Sequence, residues 1–291
     1  MDAPVDRDVH LLEEGVAFHV HEDVEVVRVA GADARSWLHD LVTADVATLE
    51  PHRTRRTLLL TPTGRVRADL HLLAGEEGAF LLAQRVDQPE GIAAMLGPYV
   101  LSSSVELKPI GRVVVSAVAP VVGDLPGMSA WRPSIMQGGG LDLLLAPADV
   151  SAARDRLVAA GLHEVSAETV ERLRILRGIP RFGRDFGPDS LPAEAGLDSL
   201  IDTEKGCFLG QESVAKVRNL GHPPRVVRHL TCPGRVTVGT VVLSAAAPVG
   251  EVTSAARRPD RGDTVMLARV RWNAATAALV IEDGTPLSVV A

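Results

Sequence analysis

The run Lys205-Gly206-Cys207-Phe208-Leu209-Gly210-Gln211-Glu212 places one of the chain's two cysteines two residues after one of its three lysines. Against those three lysines stand 27 arginines, yet Lys205 and Lys216 both fall within residues 202–225. A thiol on a glycine-flanked turn beside an ammonium would have electrostatic help in ionising, which is what a nucleophilic or metal-contacting cysteine needs. The opposite reading of Cys207, a small buried hydrophobe, stays open, because most free cysteines are that. Cys232, in an apolar strand context, reads as core. Gly206 and Gly210 could let backbone amides approach an anion, with Lys205, Lys216, Arg218 and Arg225 adding charge. The alternative is a solvated turn with surface cations.

Two acids elsewhere invite a chemical reading. In residues 65–73 the alternation puts Val66, Ala68, Leu70 and Leu72 on one face and Arg65, Arg67, Asp69 and His71 on the other. Asp69 either faces solvent or lines a cavity, where its carboxylate would accept from a heterocycle's N–H groups. Asp142 follows Gln137-Gly138-Gly139-Gly140 on a strand otherwise made of leucines, so it is the exposed alternate position or a pocket group. The nine histidines show no HExxH spacing, and no metal site is expected.

The elements that must position these residues follow from pattern. Val24–Val29 reads as a strand, and residues 34–42 recur at helical spacing. Residues 54–60 and 65–73 read as strands about a Thr-Pro-Thr-Gly turn. A strand at 79–84, a helix near 89–97 and a strand near 104–108 complete one unit by about residue 110. A second, more degraded copy starts at Arg112, with a strand at 141–146 and helices at 147–160 and 166–177. Residues 178–204 read as a long ordered loop, and residues 1–15 as a loose lead-in. From Val226 short strands at 226–231, 237–243, 249–253, 265–270 and 277–281 suggest a small all-β barrel or sandwich.

Composition bounds the function. At 291 residues with 46% hydrophobic content the chain can form two or three compact units. A net charge of −7 argues against general nucleic-acid binding. No apolar run reaches the roughly 18–20 residues of a membrane span. Neither a signal-peptide core nor a disulfide framework is present, so the cytoplasm is the expected compartment.

With these residues in view, KGCFLGQE resembles the K-G-C-[YF]-x-G-Q-E signature of the YgfZ-like folate-binding proteins, relatives of the aminomethyltransferase (T-protein) of the glycine cleavage system. LRILRGIPRFGRDF, LPAEAGLDSLIDTEKGCFLGQE and NLGHPPR are similar to the family's central block. SWLHDLVTADV is similar to its first helix and TPTGRVRADLHLL to its turn and strand, so the likeness covers about residues 20–290. The resemblance implies an α+β fold: two ferredoxin-like α/β halves (1–110 and 111–225, the second carrying the KGCFLGQE loop) forming a ring with a C-terminal β-barrel (226–291).

It further implies tetrahydrofolate as cofactor and a role in assembling or repairing iron–sulfur clusters of client enzymes, tRNA-modifying ones among them. Cys207 and Lys205 carry over as the motif's cysteine and lysine. Asp69 takes the place of the aminomethyltransferase's catalytic aspartate, Asp142 that of its pterin-binding glutamate, and Gln84 that of a folate-pocket position. Arg225 is expected at the folate's anionic tail or a client. The sequence departs from the pattern at Phe208, where the signature prefers Tyr, at Val170, where the aminomethyltransferase has a folate-gripping arginine, and at Asp142, one methylene short of Glu. Aminomethyltransferases lack the KGC motif, which favours an accessory protein over a glycine-cleavage enzyme. A folate-dependent one-carbon transferase and a non-catalytic folate-binding scaffold are the rival readings.

Overall fold

In the computed structural model, which describes residues 3–118, 130–136, 140–258 and 260–290, the chain divides into two compact units. One comprises Met1–Leu59, Ala68–Val170 and Leu200–Leu209, the other Leu60–Arg67, Glu171–Ser199 and Gly210–Ala291.

The first unit is built on two five-stranded sheets. The chain begins with α1 (Ala3–Glu14) and β1 (Ala17–His21), then runs through β2 (Val24–Ala30), α2 (Ala34–Leu41), β3 (Thr54–Leu60), β4 (Val66–Ala74), β5 (Phe80–Arg85), α3 (Ile92–Leu96) and β6 (Glu106–Ile110). It continues through β7 (Val113–Val118), β8 (Ala130–Trp131), β9 (Leu141–Leu145), α4 (Val150–Ala159), β10 (His163–Glu164) and α5 (Ala167–Leu176). The first sheet has the order β3-β4-β5-β2-β6 and the second β10-β1-β7-β9-β8.

Each sheet buries one face under helices. The α2 residues Ala34, Trp37, Leu38 and Leu41 share a core with Ala68, Leu70 and Leu72 of β4 and with Phe80 and Leu82 of β5. Ala153 and Leu157 of α4 pack on Phe18, Val115, Leu141 and Leu143 of the second sheet. The remaining two faces meet each other through Val26, Leu73 and Ala83 on one side and Val114 and Trp131 on the other. By strand alternation Asp69 and His71 share the face of Leu73, and Ser116 and Asp142 share that of Val114.

Of the expected loose lead-in, residues 1–15, the described residues 3–15 are instead mostly helix. Val9 and Leu12 of α1 are buried, and β1, which the pattern did not suggest, is buried along its length and pairs with β7 and β10. Of the glycine-rich run before β9, residues 137–139 lie outside the described residues; Gly140 is described, with φ of 94°.

In the second unit, residues 178–199 of the expected loop supply buried Phe182 and Phe186, stacked edge to face, and a 3-10 turn at Pro192–Ala195. Helix α6 (Gln211–Leu220) leads into six strands, β11 (Arg225–Pro233), β12 (Val241–Ser244), β13 (Ala247–Arg258), β14 (Asp263–Arg271), β15 (Leu279–Ile281) and β16 (Pro286–Val289). They close into a barrel of order β11-β14-β13-β12-β15-β16, so no strand edge is left open. The five strands expected from sequence are present. The sixth, β16, closes the barrel on Leu230 and Thr231 but is short, mostly exposed and begins with proline, so it carries no alternation to read. Cys232 is fully buried in the barrel core, as expected.

The glycine-flanked turn around Cys207 ends at Gly210, and the stretch that follows, for which the sequence suggested no element, is a helix. Gly210 (φ 84°) sits at the N-cap of α6, and a Cβ there would lie 2.5 Å from the Thr61 carbonyl oxygen and 3.3 Å from Gly64 Cα. A Cβ on Gly64 (φ 75°) would in turn meet Ser213 Cβ at 2.7 Å. Both glycines are thus required by backbone angle and by close approach. Gly206 is not, since a Cβ there meets open space. Gly210→Ala is expected to cost about 2 kcal/mol or more, while Gly206→Ala stays within about 0.5 kcal/mol of the parent, measured by urea denaturation.

Candidate functional site

Residues 202–209 are held by a side chain that points inward. Asp202 Oδ1 accepts from the backbone N–H groups of Glu204 (2.9 Å) and Lys205 (3.0 Å), which turns the chain. The Lys205 ammonium then turns inward and donates to the carbonyls of His39, Val42 (2.6 Å) and Ala44 (3.1 Å). His39 lies in the last turn of α2 and Val42 is its C-cap, where unpaired carbonyls and the negative end of the helix dipole favour a cation. Burial pushes the amine down to about 8 while Asp45, Asp40 and Asp202 pull it upward. An ammonium has three N–H donors, and all three are occupied. None remains to donate to the Cys207 sulfur; what these bonds show is that Lys205 anchors the loop. Phe208 is buried with its ring 5.3 Å from the Lys205 nitrogen, and the Leu209 N–H donates to Asp40 O. Between these fixed neighbours Cys207 is exposed.

Asp69 meets a partner that sequence reasoning missed. Arg56, on the neighbouring strand β3, grips its carboxylate with two N–H groups, Nε to Oδ1 at 2.8 Å and Nη2 to Oδ2 at 2.5 Å. Both side chains are largely buried, at 13% and 11% exposure. Arg56 carried no motif; its signal was its place across the Thr-Pro-Thr-Gly hairpin from the singled-out acid. Two residues on, burial brings His71 down to about 4 despite the upward pull of Asp69, leaving a neutral imidazole at neutral pH.

Asp142 is neither exposed nor free. Its side chain is fully buried, with Oδ1 accepting from Ser116 Oγ (2.5 Å) and Ser134 Oγ (2.6 Å) and Oδ2 from the Ile135 N–H (2.7 Å). Burial outweighs these bonds and raises its carboxyl to about 6. Ser116 Oγ also lies 2.9 Å from His21 Nε2, while His21 Nδ1 has no partner. Burial, with His19, Arg85 and His71 nearby, holds His21 well below its ordinary value. The structure thus places Asp69 and Asp142 on the two facing sheet surfaces. Gln84 does not join them. It shares the helix-covered face with Leu82, donates to Glu90 O at 2.6 Å and leaves its buried Oε1 unpartnered.

In the second unit Arg225 is paired with Asp189 (3.0 Å) and buried Glu194 (3.4 Å), and exposed Lys216 lies 3.9 Å from Glu212. These cations of the proposed anion site therefore have partners within their own unit. Among the described residues no group of three His, Cys, Asp or Glu could hold a metal ion, and no helix is long and apolar enough to cross a membrane.

No family model matches the chain. A putative chloroplastic transferase of Arabidopsis thaliana is 25% identical over 78% of this chain, which spans 59% of that relative's length. An aminomethyltransferase of Thermosynechococcus vestitus is 26% identical over 80% of this chain and 70% of its own length, and one of Streptomyces avermitilis is 25% identical over 91% and 81%. Among solved structures, the glycine cleavage system aminomethyltransferase T of Bartonella henselae superposes with a TM-score of 0.83 at 20% identity, covering 97% of this chain and 88% of that one. The fold, two sheet-rich α/β halves with a C-terminal six-stranded barrel, is that of an aminomethyltransferase.

Two measurements test these geometries. Lys205→Met keeps the stem but strands three carbonyls, and is expected to lower stability by about 3 kcal/mol in urea denaturation. The Asp142 carboxyl holds its proton more tightly when folded, at about 6 against an ordinary 3.8. Its contribution is therefore complete below the lower value and is lost as pH rises through the higher one. Relative to Asp142→Asn, the parent should lose roughly 3 kcal/mol of stability between about pH 4 and about pH 7.

Proposed function

We propose that this chain is a cytoplasmic tetrahydrofolate-binding protein that supports assembly or repair of iron–sulfur clusters in client enzymes, with Cys207 as the working thiol. The observation that carries this reading is the exposed Cys207 between anchored Lys205 and buried Phe208. A fixed loop that turns its one thiol to solvent suits transient contact with a partner's cluster. One cysteine cannot hold a cluster alone, since stable clusters take about four ligands. The cluster is thus cargo, belonging to clients such as tRNA-thiolating enzymes.

Tetrahydrofolate fits the carried-over residues only in part. Asp142 is fully buried, accepts from three internal donors and acts by positioning β7, β9 and residues 134–135. Asp69 gives two acceptor directions to Arg56, and a carboxylate has about four, so it can also accept from a heterocycle's N–H groups. The unpartnered Gln84 Oε1 lies on the other face of the sheet and is no part of that contact.

A folate-dependent one-carbon transferase is the second reading, favoured by relatives that bear the name aminomethyltransferase over most of this chain. The two part company in a strain lacking the gene, rescued with variants and assayed for a cluster-dependent tRNA-thiolating enzyme. Cys207→Ser is expected to fall to the level of the empty strain. Asp69→Asn is expected to weaken tetrahydrofolate binding about tenfold in a titration of the purified protein. Full rescue by Cys207→Ser contradicts the thiol reading, and aminomethyl transfer that survives Cys207→Ser but not Asp69→Asn supports the transferase.

A further inference from the structure

Strand β1 carries His19-Val20-His21, two histidines on one face of a buried strand. Phe18 and Val20 pack with α4 in the core of the second sheet, so alternation turns His19 and His21 to the opposite face, the one that meets the first sheet. On that face Ser116 lies across the ladder from His19, and Asp142 lies across from Ser116.

The donors on this face fix where the protons are. A serine hydroxyl has one proton, and Ser116 gives its own to Asp142 Oδ1 at 2.5 Å. Its oxygen therefore accepts from His21 Nε2 at 2.9 Å, which makes His21 the Nε2–H tautomer. His21 Nδ1 is left as a bare lone pair, buried and without a partner. A neutral Asp142 would need an acceptor for its new O–H. Ser134 Oγ already accepts from the Met136 N–H at 3.1 Å, and its own proton has no acceptor but Asp142 among the described residues. Ser116 has a second acceptor behind it, His21 Nε2, once that nitrogen gives up its proton.

We propose that His21, Ser116 and Asp142 form a proton relay that switches the tautomer of His21. On acidification one proton from solvent arrives at His21 Nδ1, the Nε2 proton passes to Ser116 Oγ, and the Ser116 proton passes to Asp142 Oδ1. The net change is one proton gained, with both hydrogen bonds kept and reversed. Oδ1 still accepts from Ser134 and Oδ2 from the Ile135 N–H. His21 stays neutral, and its Nδ1 turns from acceptor to donor.

The surrounding groups leave the proton on the carboxyl. Burial raises Asp142 to about 6, while burial, with His19, Arg85 and His71 nearby, holds His21 well below its ordinary value. Burial also keeps His71 of β4 at about 4, with Asp69 and Arg56 beside it. Arg85 of β5 is paired with Asp23 and lies 3.7 Å from Asp87. His19 stands edge-on to His21 at 4.6 Å, its Nδ1 directed at Val165 O at 2.8 Å. The relay is independent of the folate and thiol readings.

Long-range 15N–1H correlation spectra of 15N-histidine-labelled protein distinguish protonated from bare ring nitrogens, with His21 assigned by His21→Gln. The His21 proton is expected on Nε2 at about pH 8 and on Nδ1 at about pH 5, exchanging with a midpoint of about 6. Asp142→Asn, whose amide donates to Ser116 as the neutral acid would, should hold the Nδ1–H form at both pH values. Ser116→Ala should abolish the exchange. A proton that stays on Nε2 throughout in the parent protein overturns the proposal, and so does an imidazolium with both nitrogens protonated at about pH 5; neither reading needs a variant. Exchange that persists in Ser116→Ala overturns it as well.

Discussion

The segment that bears the cysteine depends on one buried ammonium. Removing a lysine head from water is costly, and here no carboxylate forms a salt bridge with it. Three carbonyls at the end of α2 do the compensating, two of them on or beside the helix's last turn, where the peptide dipoles converge. The bond works in both directions: it satisfies acceptors that α2 cannot pair internally, and it fixes residues 202–209 to the end of α2 within the first unit. Lysine suits this position because its stem reaches inward and its three donors diverge, whereas a planar guanidinium would serve three separated carbonyls poorly. With Phe208 also buried, the cysteine between them is left facing out.

Around that anchor the first unit keeps its charges in closed circuits. Arg56 and Asp69 neutralise one another across two neighbouring strands. Asp142 gathers two serine hydroxyls and a backbone amide, and one of those serines reaches His21. These groups occupy the two surfaces by which the sheets face each other, beside an apolar patch of valines, alanine, leucine and tryptophan. Polar residues there add little net stability, but an acceptor with three donors has few alternative positions, and so it fixes how β7, β9 and residues 134–135 sit. The unpartnered His21 nitrogen is the one break in that circuit.

Much of the fold was legible because it rests on local pattern. The alternation of β4 separated its fully buried Val66, Ala68, Leu70 and Leu72 from half-buried Asp69 and His71. Cys232 read as core from its strand context, and most barrel strands from their spacing. What escaped lacked periodic signal. The strand AFHVH is buried on both faces despite two histidines, so it does not alternate. Helix α6 has no fully buried stripe among its described side chains, so no helical period marks it. The site was harder still. Lys205 finds its acceptors 161 to 166 residues away, and those acceptors are carbonyls, which every residue carries. No sequence pattern could have distinguished a lysine that tunes a thiol from one that anchors a loop.

Superposition on an aminomethyltransferase at 20% identity fixes the architecture and leaves the chemistry to the residues of this chain. Its two cysteines offer a direct comparison, one presented on an anchored loop and one sealed in a barrel. Alkylation of the native protein by iodoacetamide, followed by mass spectrometry of the two cysteine peptides, measures that difference. Cys207 should react at the rate of an exposed thiol, while Cys232 reacts only as fast as the barrel unfolds. Protection of Cys207 to the same degree as Cys232 would contradict the claim that Lys205 and Phe208 hold the thiol outward.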